Sequence, residues 1–364
     1  MSRNLKKMCP VFAVSLVLTT SCINAADNAD MNRSKSNMDM QKQQQKGSMG
    51  MITPPVNPVV QGVDFSFGIE ALYMRATRDC SSVGLREPSP SAYPQAYTAA
   101  EQQYDWSWGA RVDAGYAMNH DGWDLQAQWT WFKASETNIR TAAPGASFYS
   151  SMYPTDLNNS PVVTIETGSL NSHRHMLINM GDLDLGREFF ISKWLTLRPC
   201  AGIRGVWIER HRTIDAINVF NVPSGVDANT SQVTSYTDVS YNAGGLYAGL
   251  DTQWSFGDGW SLFGMVDQAI VYGRNDYNHY EVDRTLNGAV YTRASVSDKW
   301  FTVRGITDLA LGFRWDYMFD NDSYRLRLQA AWEEHLFSNL DVDNFGNSGN
   351  LALTGASFKA SFDF

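Results

Sequence analysis

From Val63 onward, apolar and polar residues alternate one by one. Phe65, Phe67, Ile69, Ala71 and Tyr73 share one parity, with Asp64, Ser66, Gly68 and Glu70 on the other. This is the period of a β-strand with two unlike faces, because successive side chains point to opposite sides of a sheet. The pattern returns in Trp106, Trp108, Ala110, Val112, Ala114 and Tyr116. After Asn119-His120-Asp121-Gly122 it resumes in Trp123, Leu125, Ala127, Trp129 and Trp131. A short polar turn between two such runs predicts a hairpin. Further runs cover about 176–189, 194–207, 241–254, 260–272, 301–316 and 324–333, and a last one from about Leu351 puts Phe358, Ala360, Phe362 and Phe364 on one face.

Ten strands are predicted in all. Four of their connections are short turns, and five are long, at about 76–105, 134–175, 208–240, 273–300 and 337–350. Long and short connections alternate strictly. A soluble sandwich has no reason to sort its loops this way, whereas bacterial outer-membrane barrels have short periplasmic turns and longer external loops. The expected fold is therefore all-β, a transmembrane antiparallel up-and-down barrel of about ten strands, or up to 16 if the long loops hide further strand pairs. Trp106, Tyr116, Trp123, Trp131, Trp194, Trp207, Trp260, Tyr272 and Trp332 fall near the ends of apolar faces, where aromatic girdles of such barrels sit.

The segment before Val63 has a different character. Arg3, Lys6 and Lys7 precede a short apolar core, Val11 to Leu18, and Ile23-Asn24-Ala25 ends on a small residue, so residues 1–25 read as a secretory signal peptide. Residues 26–62 are rich in Met, Gln, Asn, Ser and Pro and cannot bury enough apolar area to offset chain entropy, which makes them a disordered leader. The barrel domain is then 63–364.

Composition agrees with an exported membrane barrel. Charged residues make up 18% of the 364, below the roughly 25% of soluble domains, while Trp 12, Tyr 16 and Phe 18 raise the aromatic share to 13%. No window approaches the run of about 20 apolar residues that a spanning helix needs. The net charge is −9, and removing the three cations of residues 1–25 takes it to −12. Such a balance speaks against nucleic acid as a partner. Cys80 and Cys200 remain in a compartment that permits disulfides, and an intramolecular bridge, an intermolecular bridge and two free thiols are all open.

The polar parity is expected to line the lumen. It carries Arg111, Asp113, Arg198, Arg204, Arg304, Asp308, Arg314, Asp316, Arg325, Arg327 and Glu333, a wall in which arginines outnumber acids. Such a wall either biases ion passage or pairs its charges and fills a narrow barrel. No catalytic residues are assigned: His211, His279 and His335 fall near loop boundaries with Asp276 beside the second, and they read as surface polar residues. His173 and His175 share a strand face without an apparent third ligand, so no metal is assigned. Gly244-Gly245 and Gly249 precede a strand rather than a helix, and no cofactor is expected.

The segment Gly181-Asp182-Leu183-Asp184-Leu185-Gly186-Arg187-Glu188-Phe189-Phe190-Ile191-Ser192-Lys193, with Leu195-Thr196-Leu197-Arg198-Pro199 and Gly202-Ile203-Arg204-Gly205, resembles the central motif of the Legionella major outer membrane protein family and its relatives in chlamydia-like bacteria. Trp260 to Gly264, Leu311 to Tyr317 and Phe358 to Phe364 are similar to it as well. The resemblance covers roughly 63–364 and implies an abundant outer-membrane barrel with porin-like activity and no catalytic residues. The expected function is a passive diffusion channel for ions or small solutes. The alternative is a structural or adhesive envelope protein with a largely filled barrel, whose loops meet host or envelope partners. Outer-membrane lipid is the expected environment, and the barrel-assembly machinery is expected to engage the terminal Phe364. Whether the barrel is a homo-oligomer is open.

Overall fold

The computed structural model describes residues 64–78, 82–87, 98–101, 104–118, 122–141, 147–152, 163–220, 230–319, 324–342 and 348–364. Residues 1–63, with the predicted signal peptide and leader, and Cys80 lie outside them. In chain order the strands are β1 (Asp64–Arg78), β2 (Ser82–Glu87), β3 (Thr98–Glu101), β4 (Ser107–Ala117), β5 (Trp123–Thr141), β6 (Ser147–Met152) and β7 (Val163–Arg187). There follow β8 (Phe189–Phe190), β9 (Leu195–Phe220), β10 (Thr230–Gly257), β11 (Trp260–Thr285), β12 (Val290–Phe319), β13 (Tyr324–Val342) and β14 (Ser348–Asp363).

Ten of these form a closed barrel. β1, β4, β5, β7 and β9 to β14 pair antiparallel in chain order. β14 then returns to β1, from Ser66 opposite Asp363 to Arg78 opposite Leu351. Reciprocal bonds between the backbones of Phe65 and Phe364, at 3.0 and 2.9 Å, extend this seam to the chain end. Closure leaves no unpaired strand edge, the condition under which a sheet can cross hydrocarbon. The short β2, β3 and β6 pair with one another and with the start of β7, Val163 to Thr167, beyond the stretch of β7 that β5 pairs, and β8 pairs with β9 at the opposite end.

The outward parity is the apolar one. Ile69, Val112, Leu246, Ile270, Leu311 and Phe313 are exposed, while the intervening positions are buried. A ladder of rings follows the rim with the tight turns: Tyr116, Phe65, Phe364, Phe362, Tyr324, Phe319, Tyr317, Trp315 and Trp260 each touch the next, with centroids 5.4 to 6.5 Å apart. An upper set comprises Tyr73 with Trp106 and Trp108, Trp129 with Trp207, and Tyr272 with Phe301. On β11 the two levels are marked by Trp260 and Tyr272. Twelve residues of strand at about 3.4 Å each, tilted by about 45°, rise roughly 29 Å, the thickness of a hydrocarbon core.

The strands do not stop there. β12 has 30 residues and β10 has 28, against the 9–11 or so that a crossing requires. This corrects the prediction of a long connection at 273–300: β11 runs to Thr285 and β12 starts at Val290, across a tight turn in which Gly288 takes a φ of 80°. Likewise β9 and β10 occupy most of 208–240. The physical reason is that both faces become polar beyond the membrane. On β11, Arg274 and Asn278 point out while Asn275, His279 and Glu281 are buried, so the strand persists after its hydrophobic period has faded.

Candidate functional site: the lumen

All eleven predicted lumen residues lie on the inner parity of their strands. The alternation that exposes Val112, Ile203, Leu309 and Trp332 to lipid turns Arg111, Arg204, Asp308 and Glu333 inward, where they are buried. Burying charge is unfavourable unless it is paired and hydrogen-bonded, so what matters is where each partner comes from.

Near the periplasmic end, Arg325 donates from Nε to Asp363 at 2.6 Å and Arg327 donates to Asp316 at 3.1 Å. Arg314 donates to Gln253 at 2.8 Å and its guanidinium lies over the Phe263 ring. Arg198 of β9 is held by three strands at once. It donates to Asp124 of β5 at 2.9 Å, to Asp184 of β7 at 2.6 Å and to Asp251 of β10 at 3.0 Å. Tyr247 donates its hydroxyl to the other oxygen of Asp184 at 2.7 Å.

One level higher, Arg111 of β4 donates to Glu70 of β1 and to Glu333 of β13, each at 3.0 Å. Arg204 of β9 bonds Asp182 of β7 at 2.7 Å and reaches Asp308 of β12. His335 sits between Asp308 at 2.8 Å and Glu333 at 3.3 Å, one carboxylate at each ring nitrogen. Asp113 takes Lys359 at 2.7 Å. Arg304 donates to Asn275 at 2.9 Å and stacks over Tyr241. The charges thus form a lattice across the lumen instead of a wall around a bore.

Around the Arg304–Asn275 pair the interior turns largely apolar. Leu72, Met74, Phe132, Met176, Ile178, Val206, Ile208, Tyr241, Val271, Ile306, Phe337, Leu351 and Leu353 belong to one contiguous buried cluster drawn from nine strands. Its height follows from the sequence. Leu72 precedes Tyr73, Phe132 follows Trp131, Ile208 follows Trp207 and Val271 precedes Tyr272, so each stands back to back with a ring of the upper girdle. The cluster therefore spans the lumen at the outer membrane interface. Below it lies a polar cavity of about 150 Å³, bordered by Arg111, Gln126, Glu188, Arg198, Gln253 and Arg314. A smaller one of about 50 Å³ at the periplasmic mouth is bordered by Phe65, Arg325, Arg327, Asp363 and Phe364.

Several sequence expectations change. The excess of arginine disappears, because Glu70, Asp124, Asp182, Asp184 and Asp251 join the inner face as partners. His335 is buried in the lattice and is not a surface residue. His279 is also buried, bonded to Thr237 at 2.9 Å and Glu281 at 3.1 Å, and Asp276 lies on the opposite face of β11, so the two do not act together. His211 does face outward, and is exposed. Cys200 is half-buried, packs against the apolar cluster and forms no disulfide among the described residues, while Cys80, its possible partner, lies outside them. Among the described residues no three His, Cys, Asp or Glu converge as a metal cluster.

The family model described as Legionella pneumophila major outer membrane protein precursor matches residues 60–364. Among curated proteins none matches the chain. Similar solved structures include the outer membrane protease OmpT of Escherichia coli, 9% identical, covering 86% of this chain and 99% of its own, with a TM-score of 0.34. A Pseudomonas aeruginosa FadL homologue is 11% identical, with 86% and 95% covered and a TM-score of 0.24. The toluene transporter TodX of Pseudomonas putida is 8% identical, with 85% and 92% covered and a TM-score of 0.20.

Proposed function

Since this chain belongs to the Legionella major outer membrane protein family and resides in the bacterial outer membrane, we propose that it acts there as a closed, non-catalytic barrel that builds the envelope and holds a long β-rim outside the cell. The observation that carries this reading is the apolar cluster across the lumen at the upper girdle, around Phe132, Ile208 and Phe337. Ions and small solutes lose most of their hydration at such a layer, whose buried Arg304 and Asn275 are bonded to each other, and hydrophobic constrictions close pores in this way. The salt-bridge lattice beneath it ties the strands together from within, and the rim offers a polar outer face to partners beyond the membrane.

Passive diffusion of ions or small solutes is the second reading, and the cavity of about 150 Å³ beneath the cluster favours it. That space holds several waters at about 30 Å³ each, and opening the cluster would connect it to the outside. Swelling of proteoliposomes in isotonic solutions of small sugars separates the two. The closed barrel gives the rate of protein-free liposomes. Swelling that rises as the sugar becomes smaller would replace this reading with a channel.

A further inference from the structure

Outside the membrane band, β7 and β9 set two histidines directly opposite each other. His175 is in register with His211. Their rings are nearly parallel, 11° between planes, with centroids 6.1 Å apart. His211 lies four residues beyond Trp207 of the upper girdle, on an outer face that also carries Ser135, Thr137 and Thr213. Water reaches it there, since its side chain is 54% exposed.

The next strand extends the row. Asp238 of β10 is opposite His211, and its Oδ1 lies 2.7 Å from His211 Nδ1. Metal-ligating histidines commonly give one ring N–H to a carboxylate, which fixes the tautomer, orients the ring and leaves the other nitrogen's lone pair free to bind. In this row the carboxylate is at Nδ1, which leaves Nε2 for a ligand.

We propose that His175 and His211 form a two-imidazole site for a divalent transition-metal ion, with Asp238 as a positioning residue and water completing the coordination. Directly opposed residues on adjacent strands have Cβ atoms about 4.5–5.5 Å apart, and metal–imidazole bonds are about 2.0–2.1 Å, so rotation of the exposed His211 ring and the half-buried His175 ring toward each other brings both nitrogens onto one ion. Two imidazoles select copper, nickel or zinc over calcium or magnesium, which demand oxygen ligands. Cu²⁺ stands highest in the affinity order and is the probe of choice.

His173 provides an internal control. It lies two residues away on the same face, and its Nδ1 is 2.8 Å from Thr137 Oγ1. The experiment titrates Cu²⁺ into the full-length, tag-free protein refolded in detergent, followed by calorimetry and electron paramagnetic resonance. One Cu²⁺ per chain with a two-nitrogen imidazole signature is expected. His175→Ala and His211→Ala each weaken binding at least about tenfold and remove one nitrogen, Asp238→Asn weakens it by about 10- to 100-fold, and His173→Ala leaves it unchanged. Heat-modifiable migration in gels verifies that each variant is folded. The proposal is overturned if the wild-type protein binds no Cu²⁺, if either His175→Ala or His211→Ala binds as the wild type does, or if His173→Ala abolishes binding.

Discussion

Arg111 of β4 and Glu333 of β13 meet at 3.0 Å, although β1 and β14 stand between their strands in the barrel wall. The two intervening strands take part: Glu70 of β1 shares the guanidinium, and Ser357 of β14 donates to Glu333. Four neighbouring strands, among them the seam where the chain's first and last barrel strands join, are thereby fastened inside the lumen.

Removing one member of this group should cost far more than the group itself contributes. Arg111→Met leaves two buried carboxylates facing each other, and the expected loss is about 3–5 kcal/mol, whereas adding Glu70→Gln and Glu333→Gln recovers most of it. Urea unfolding in lipid vesicles, read by tryptophan fluorescence, gives both values.

The position of the membrane is testable on a single strand. Leu311 of β12 faces lipid between the two girdles, and Ser295 occupies the same outer face beyond the upper one. Leu311→Arg should destabilise the folded barrel by about 2–4 kcal/mol, and Ser295→Arg by no more than about 1 kcal/mol. Equilibrium folding into vesicles measures the difference. Equal costs would displace the membrane band.

Two glycines of the central motif make room for the upper girdle. Trp129, Gly181 and Gly205 lie in one cross-strand row. A Cβ on Gly181 would come within 3.1 Å of the Trp129 ring, and one on Gly205 within 2.7 Å of the Trp207 ring. Gly205→Val should push Trp207 off its stacked neighbour, with a loss of about 1 kcal/mol and of the near-ultraviolet circular dichroism of the coupled indoles.

Much of this fold is legible in the alternation alone, since parity depends only on neighbouring residues. It identifies the ten strands, their lipid face and the eleven lumen charges. What it misses is set by closure. The pairing of Arg198 with Asp124, or of Arg204 with Asp308, depends on which strands face each other across the lumen, and the irregular strand carrying Asp182 and Asp184 obscures two of the partners. The long hairpin arms escape because their two faces are both polar. The apolar cluster, by contrast, leaves a trace: Trp131-Phe132, Val206-Trp207-Ile208 and Ile270-Val271-Tyr272 interrupt the alternation with residues apolar on both parities, at the level where the lumen closes.

Single-channel recording in planar bilayers tests closure most directly. The wild-type barrel is expected to give no conductance steps, and the double variant Phe132→Ala with Phe337→Ala, which removes two large rings from the cluster, is expected to give steady ones. Stable steps from the folded wild-type protein, unchanged in the double variant, would contradict a lumen closed by that cluster.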